Sequence, residues 1–338
     1  LTKAHAALSV ESGNTRLVIW NEEKVEMTNP DLTATPSVER DMKRSPNSPR
    51  TLFSSMMTAV AYACAVIALI PLVAVLSYVL INGFARLGPA LFVQLPPAPG
   101  LTGGGFGNAF LGTLTTVGIS AALSIPFGVM AAIYLSEYAR GTKLADVIDF
   151  FTNVLSGVPS IVVGAFAYSL VVLTTGRFSA VAGGVALAVL MLPTIVRTSA
   201  EALEAVSNDY RQAAVGLGAT RIQTTLKIVL PAAIPSILTG VMLAIARAAG
   251  ETAPVLFTAS FSRYWNSGLS LNPLNVNPAT YFTNGIWEPT ATMSRLVFDF
   301  ATAPYKNQQE LAWAGSLVLV ALVLVTSILS RWITSRRK

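Results

Sequence analysis

One cysteine and one histidine are all that the 338 residues contain. Cys64 has no second thiol to pair with, so no intrachain disulfide forms and no intrachain dithiol redox couple exists. His5 stands alone in a polar stretch, which leaves no histidine cluster for a metal. Charge is scarce as well: 12% of residues carry one, against roughly a quarter in soluble domains. No H-E-x-x-H, G-x-S-x-G or G-x-x-x-x-G-K-[ST] occurs, and no cysteine–histidine pair. These gaps argue against a membrane-embedded enzyme, and they place any ATP hydrolysis on another chain.

What the chain has instead is apolar length. Hydrophobic residues make up 53% of it, gathered in runs of roughly 17 to 29, where about 20 suffice to cross a bilayer. Six spans are expected: about 52–80 with a kink at Pro71, 109–135 interrupted by Pro126, 150–173, 179–196, one starting at Pro235, and a last one ending near 333. The expected fold is therefore an all-α membrane protein, a six-helix domain over about 51–335 with no repeat between its halves. Residues 1–50 are polar, rich in Ser, Thr, Asn and Pro, and are expected to form a disordered cytoplasmic tail. No secretory signal pattern opens the chain, and the start codon is expected to fall at Leu1 or, alternatively, at Met27 or Met42.

The formal charge of +6 is read as topology. Arg40, Lys43, Arg44 and Arg50, then Arg140 and Lys143, then Arg197, Arg211, Arg221 and Lys227, and finally Arg331, Arg336, Arg337 and Lys338 share one side of a six-span chain. Only Arg86, Arg177, Arg263, Arg295 and Lys306 fall on the other. The positive-inside rule puts both termini and residues 201–230 in the cytoplasm of a bacterial plasma membrane. Lipid is the expected partner of this basic surplus, and nucleic acid is not.

Three stretches stand out within this frame. The third span begins LSGVPSIVVG, where Ser156, Gly157 and Ser160 flank a proline that frees backbone groups. Freed backbone at membrane depth is tolerated only when buried in protein or lining a cavity, so these residues are candidates for a pathway. The outer loops 81–108 and 259–310 are long, the first too rich in Gly and Pro for regular structure, the second carrying Trp265 and Trp287. They either receive an extracytoplasmic partner or cap the bundle.

The third stretch, residues 201–231, is polar. Asp209 with Gln212, and Thr220 with Gln223, are capping-box patterns that predict two short helices. Gly216 and Gly218 supply the turn between them. Ile222, Leu226 and Val229 fall on one face of the second helix, which Pro231 is expected to stop. A helix this short needs a surface to lie on, its own bundle or the lipid interface included.

The run QAAVGLGATRIQTTLKIVLP resembles the EAA loop of bacterial ABC-importer permeases. Ala213, Ala214, Gly218, Ile228, Leu230 and Pro231 stand at that family's spacings, and Gln212 stands where the family carries glutamate. With LSGVPSIVVG, LPTIVRTSAEAL and ARAAGETAPVLFT, the likeness extends over about 52–335 and points to the permeases of phosphate-specific importers. The resemblance implies a type I importer permease, not itself an enzyme, whose loop seats in a groove of an ATP-binding subunit. Gln212, Ala213, Ala214, Gly218, Ile222 and Leu226 are then the coupling residues, any ion pair at position 212 being lost with the glutamate. The implied partners are a second, PstC-like permease, two ATP-binding subunits and an extracytoplasmic phosphate-binding protein. This chain itself would hold no cofactor, ATP and Mg being bound by the partner ATPases.

The fifth span carries charge where a span should be blank. Counted from Pro235 at 1.5 Å per residue, Arg247 lies about 18 Å along, near mid-membrane, where a charge costs about 2.5–3.5 kcal/mol. Glu251 is one turn on and within reach, and Pro254 removes the hydrogen bond to the Gly250 carbonyl. Broken helices at this depth build ion sites. Arg247 offers a planar fork to an oxyanion, and Glu251 can accept the proton that phosphate keeps near neutral pH and sulfate does not. The pair is either this substrate site or an internal ion pair locking the bundle. Arg197, at the cytoplasmic end of the fourth span, is an exit-side partner or a topological anchor. A permease for sulfate, molybdate or phosphonate is the alternative within the class, and a secondary carrier outside it.

Overall fold

The computed structural model describes residues 49–139, 141–268 and 277–335. The tail as far as residue 48, with Met27 and Met42, lies outside the described residues, as do Arg40, Lys43, Arg44, Arg140, Arg336, Arg337 and Lys338. The chain divides into two compact units, Leu1–Ala68 and Leu69–Lys338. The division falls inside the first helix, α1, Pro49–Phe84. In the first unit Leu52, Phe53, Met56, Val60, Tyr62 and Val66 are all exposed, an apolar surface suited to lipid or another membrane subunit and not to water.

In the second unit, α2 (Ala90–Val93) leads to α3, Gly107–Ile133, which a π turn extends to Tyr138. Next come α4, Lys143–Gly157, and α5, Ser160–Ala167, which runs on through a π turn to Thr175. A long α6, Ala180–Glu204, is followed by the short α7, Asn208–Gly216, and α8, Arg221–Thr224. After a π turn, Thr225–Val229, α9 spans Leu230–Gly250, and α10 is Ala253–Thr258. α11 (Pro278–Thr283), α12 (Met293–Ala301) and α13 (Lys306–Ser335) complete the chain. Among the described residues, five helical stretches are long and apolar enough to cross a membrane, or six if α4 and α5 count as one bent span.

The expected spans need four corrections. The third is not one rod: α4 and α5 meet at 107°. Val158, preceding Pro159, is extended (ψ 131°) and ends α4, because the proline ring excludes the helical conformation from the residue before it. The fourth span does not stop near 196 but continues to Glu204, so the polar pair starts only at Ser207. The fifth starts at Arg221, not at Pro235. Pro231 does not stop the helix, because the π turn before it shifts the hydrogen-bond ladder where proline has no N–H to give. The second is not interrupted, Pro126 lying inside an unbroken α3; the loop before it has no helix or strand over 94–106, as expected, and is pinned by the Gly105 and Phe106 amides donating to the Leu95 and Leu91 carbonyls.

Small residues let α3, α6 and α9 approach closely, as in membrane bundles generally. A Cβ on Gly128 of α3 would stand 2.7 Å from Cγ2 of Ile195, and Gly184 of α6 is equally tight against Ile119. Gly240 of α9 faces Thr198. One buried cluster joins these helices through Ala132, Leu187, Met191, Ile195, Val229, Ile237 and Val241. A second, around Phe106, Leu296, Phe300 and Leu311, ties the loops to α12 and α13. The second loop also reaches α3, where the Tyr281 hydroxyl and Thr115 Oγ1 lie 2.6 Å apart. Burial raises that phenol's pKa, and the Thr115 hydrogen bond only partly offsets it.

Candidate functional site

The helix break expected at Glu251 is present. α9 ends at Gly250, Glu251 is extended (ψ 127°), and Pro254 opens α10 in its first turn. With no N–H on Pro254, the Gly250 carbonyl loses its helical donor and the chain is free to turn. Arg247 Nε faces Glu251 Oε1 at 3.5 Å. The two side chains differ in access: Arg247 is 66% exposed and Glu251 19%. The guanidinium thus keeps most of its fork for something outside this chain, and the carboxylate points inward. Arg247 sits in the last turn of a continuous helix from Arg221, not at its middle, because that helix starts fourteen residues before Pro235.

Two cavities, each of about 10 Å³, meet at Glu251. One also touches Leu190, Thr194 and Arg247; the other is walled by hydroxyls of Thr113, Thr116, Thr292 and Ser294. Ser294 Oγ donates to the Glu251 carbonyl at 2.9 Å, and Thr113 Oγ1 accepts from the Met293 amide at 2.8 Å. This hydroxyl wall escaped the sequence reading, although Thr113, Thr116, Ser120 and Ser124 repeat at helical spacing on one buried face of α3.

The other pathway candidates lie elsewhere. Ser156 Oγ is turned onto the Thr152 and Asn153 carbonyls, Gly157 ends α4 and is exposed, and Ser160 begins α5. None of the three lines the Glu251 cavities. The corner reaches the break through Gly164 instead, where a Cβ would lie 2.8 Å from the Pro254 Cα. Arg197 pairs with Glu201 at 3.4 Å on an exposed face and lines neither cavity.

The polar pair folds largely as its caps dictate. The Thr220–Gln223 capping box is complete in both directions. Asp209 does not cap: Ser207 does, its Oγ accepting from the Asp209 amide, and α7 starts at Asn208. α7 ends in a Schellman motif, with the Ala219 amide on the Ala214 carbonyl and the Gly218 amide on that of Val215. Gly218 adopts φ +82°. Ala214 is buried, whereas Gln212 and Ala213 are exposed. Ile222 and Leu226 are exposed together with Tyr210, Val215 and Leu217, the last at 90%. Val229 leaves this face and is fully buried, because the π turn inserts an extra residue and rotates the following helix.

The sequence reading also missed what holds this pair in place. Glu137, at the foot of α3, forms a 2.8 Å ion pair with Arg211 of α7, their side chains 8% and 16% exposed. Arg211 also donates to the Leu203 and Val206 carbonyls. Arg221 of α8 donates to the Glu137 carbonyl and stacks over the Tyr138 ring. The available signal was a lone glutamate in the apolar run IYLSEYA.

A bundle of membrane-length helices, one of them broken at a charged pair, with a capped and apolar-faced helix pair at its foot, is the architecture of an importer permease. The chain belongs to the binding-protein-dependent transport system inner membrane component family, whose profile matches residues 124–338. It is 38% identical over 257 residues to the phosphate transport system permease protein PstA of Yersinia pestis, covering 76% of this chain and 81% of that one. It is 35% identical over 291 residues to PstA of Haemophilus influenzae, covering 86% and 96%. Among solved structures, an alginate-importing bacterial ABC transporter matches at TM-score 0.53 and 16% identity over 85% of this chain and 99% of that one. The MetNI methionine ABC transporter matches at 0.52 and 17%, over 68% and 94%. The expected fold class therefore holds, and the chain is an integral inner-membrane protein of a binding-protein-dependent importer.

Proposed function

We propose that this permease imports inorganic phosphate and forms half of the translocation pathway. A second, PstC-like permease supplies the other half, two ATP-binding subunits hold ATP and Mg, and an extracytoplasmic phosphate-binding protein delivers the substrate. Both termini and α7–α8 face the cytoplasm in this arrangement, and the ATPase seats on Ile222 and Leu226. The observation that carries the reading is Arg247, a largely free guanidinium at a helix break beside an inward carboxylate. Its fork suits a tetrahedral oxyanion. Glu251 accepts the proton of a hydrogen phosphate, which fully ionised sulfate lacks. PstA proteins named for phosphate transport, similar over most of this chain, support the same substrate.

Labelled-phosphate uptake by the reconstituted importer, with sulfate as competitor, tests it. Arg247→Lys keeps the charge without the fork and lowers uptake; Arg247→Gln abolishes it. Glu251→Gln narrows discrimination against sulfate by at most about 1–3 kcal/mol, the cost of one mispaired buried group. A purely structural pair gives the opposite pattern, in which single variants lose assembled complex and Arg247→Met with Glu251→Leu regains it. Wild-type uptake by that double variant refutes the substrate site.

A further inference from the structure

We infer that Glu137 is a positioning residue for transport, the clutch through which motion of α7 and α8 reaches α3 and hence the wall of the Glu251 site. The inference rests on the proposal that α7 and α8 receive the ATPase.

Both short helices are fastened to two consecutive residues of α3's foot. Arg211 of α7 grips the Glu137 carboxylate, and Arg221 of α8 grips the Glu137 carbonyl and the Tyr138 ring. The packing around this junction is open. A cavity of about 460 Å³ lies beside it, bordered by Ser136, Val215, Ala219 and Thr224. Ser136 Oγ and Thr224 Oγ1 are buried there without a hydrogen-bond partner. At Glu137 itself the join is made by directional, charge-assisted bonds, and apolar packing resumes about a turn away, where Ala132 and Val229 share one cluster. Arg211 keeps its grip from both sides, since the same guanidinium holds the Leu203 and Val206 carbonyls between α6 and α7.

From this foot α3 runs without a break in its helical path to Thr116 and Thr113, which wall the Glu251 cavity. Thr116 and Glu137 stand twenty-one positions apart, which amounts to about 31 Å of rod. A displacement of α7 thus reaches the hydroxyl wall by way of Glu137. Weakening the junction should uncouple ATP hydrolysis from transport without preventing either subunit from folding.

The test uses the complete importer in proteoliposomes, with phosphate uptake and ATP hydrolysis measured on the same preparation. Glu137→Gln keeps the volume and removes the charge. Phosphate moved per ATP should fall by about tenfold, within the range of network couplings, while hydrolysis persists, and Glu137→Asp should restore most of it. Arg211→Lys, which cannot hold the carboxylate and both carbonyls at once, should give the same loss and serves if Glu137→Gln does not assemble. A merely structural role lowers uptake and hydrolysis in proportion and leaves the ratio at its wild-type value; that result, or an unchanged ratio with full activity, overturns the inference. ATPase co-purifying with the wild-type permease supports the docking on which the inference rests. Its absence overturns the docking and the clutch together.

Discussion

Gly218 separates two reasons for keeping a glycine, space and backbone conformation, and the structure decides between them. Its φ is +82°, and a Cβ built on it meets nothing within 4 Å. Substitution is therefore opposed by conformation alone. An L-residue in the left-handed region costs roughly 1–2 kcal/mol, and a β-branched side chain more. Gly216, two residues earlier, is the ideal control. It is the last residue of α7, has equally open space around it, and is helical. There alanine gains up to about 0.5–1 kcal/mol over glycine. Gly218→Ala should thus lower, and Gly216→Ala hold or raise, the thermal midpoint of the detergent-purified permease, with Gly218→Val lowest of all. Gly218→Asn should fall between glycine and alanine, since asparagine tolerates this region. Loss of the turn opens the Schellman bonds from Gly218 and Ala219, so uptake should follow the same order. Equal midpoints for Gly218→Ala and Gly216→Ala would refute the argument.

Leu226→Asp should abolish co-purification of the ATPase while the permease still inserts, because Leu226 is exposed and a buried unpaired carboxylate on docking costs several kcal/mol; full ATPase retention refutes the docking face. Photo-crosslinkers at the exposed Tyr264 and Phe282, in the stretch between α10 and α12, should capture the proposed phosphate-binding protein during turnover, and no capture at either position would leave this stretch as a cap on the bundle. Asn266 is unsuitable for such a probe, since it is buried and its amide donates to the Gly285 carbonyl and Thr290 Oγ1.

Local chemistry was legible in the sequence wherever one residue dictates its own neighbourhood. The Thr220 box, the left-handed Gly218 and the break before Pro254 follow from side chains within four residues of the effect. Asp209 failed because two capping residues compete there and the sequence does not rank them: Ser207 precedes it by two and takes the cap. The extent of the fifth span was misread for a related reason. Pro231 looks like a stop and Pro235 like a start, but a π turn upstream changes which carbonyls need donors, and periodicity counted at 3.6 residues per turn does not reveal it. The Glu137–Arg211 pair spans 74 residues of chain, so its partner is set by the packing of α3 against the loop. The same holds for the Gly164–Pro254 contact, where the corner meets the site.

Two rods therefore converge on Glu251 from the loop that carries α7 and α8, and they differ in how they are joined to it. The stretch Arg221–Gly250 is covalently continuous with the loop, 30 residues long, or about 45 Å at helical rise. It ends beside Arg247. α3 has no such covalent link: Glu137 and Tyr138 make its polar hold on the loop, Ala132 packs in one cluster with Val229, and further along it carries the hydroxyls of Thr113 and Thr116. A covalent rod follows the loop directly; on the inference above, α3 follows it through the ion pair. Arg247 and the wall of Thr113 and Thr116 thus need not shift together. On the proposed role of Arg247, transport requires that they do, since an anion held there would have to meet or leave that wall in step with hydrolysis. This is why the ratio of phosphate to ATP, rather than either rate alone, carries the information about Glu137.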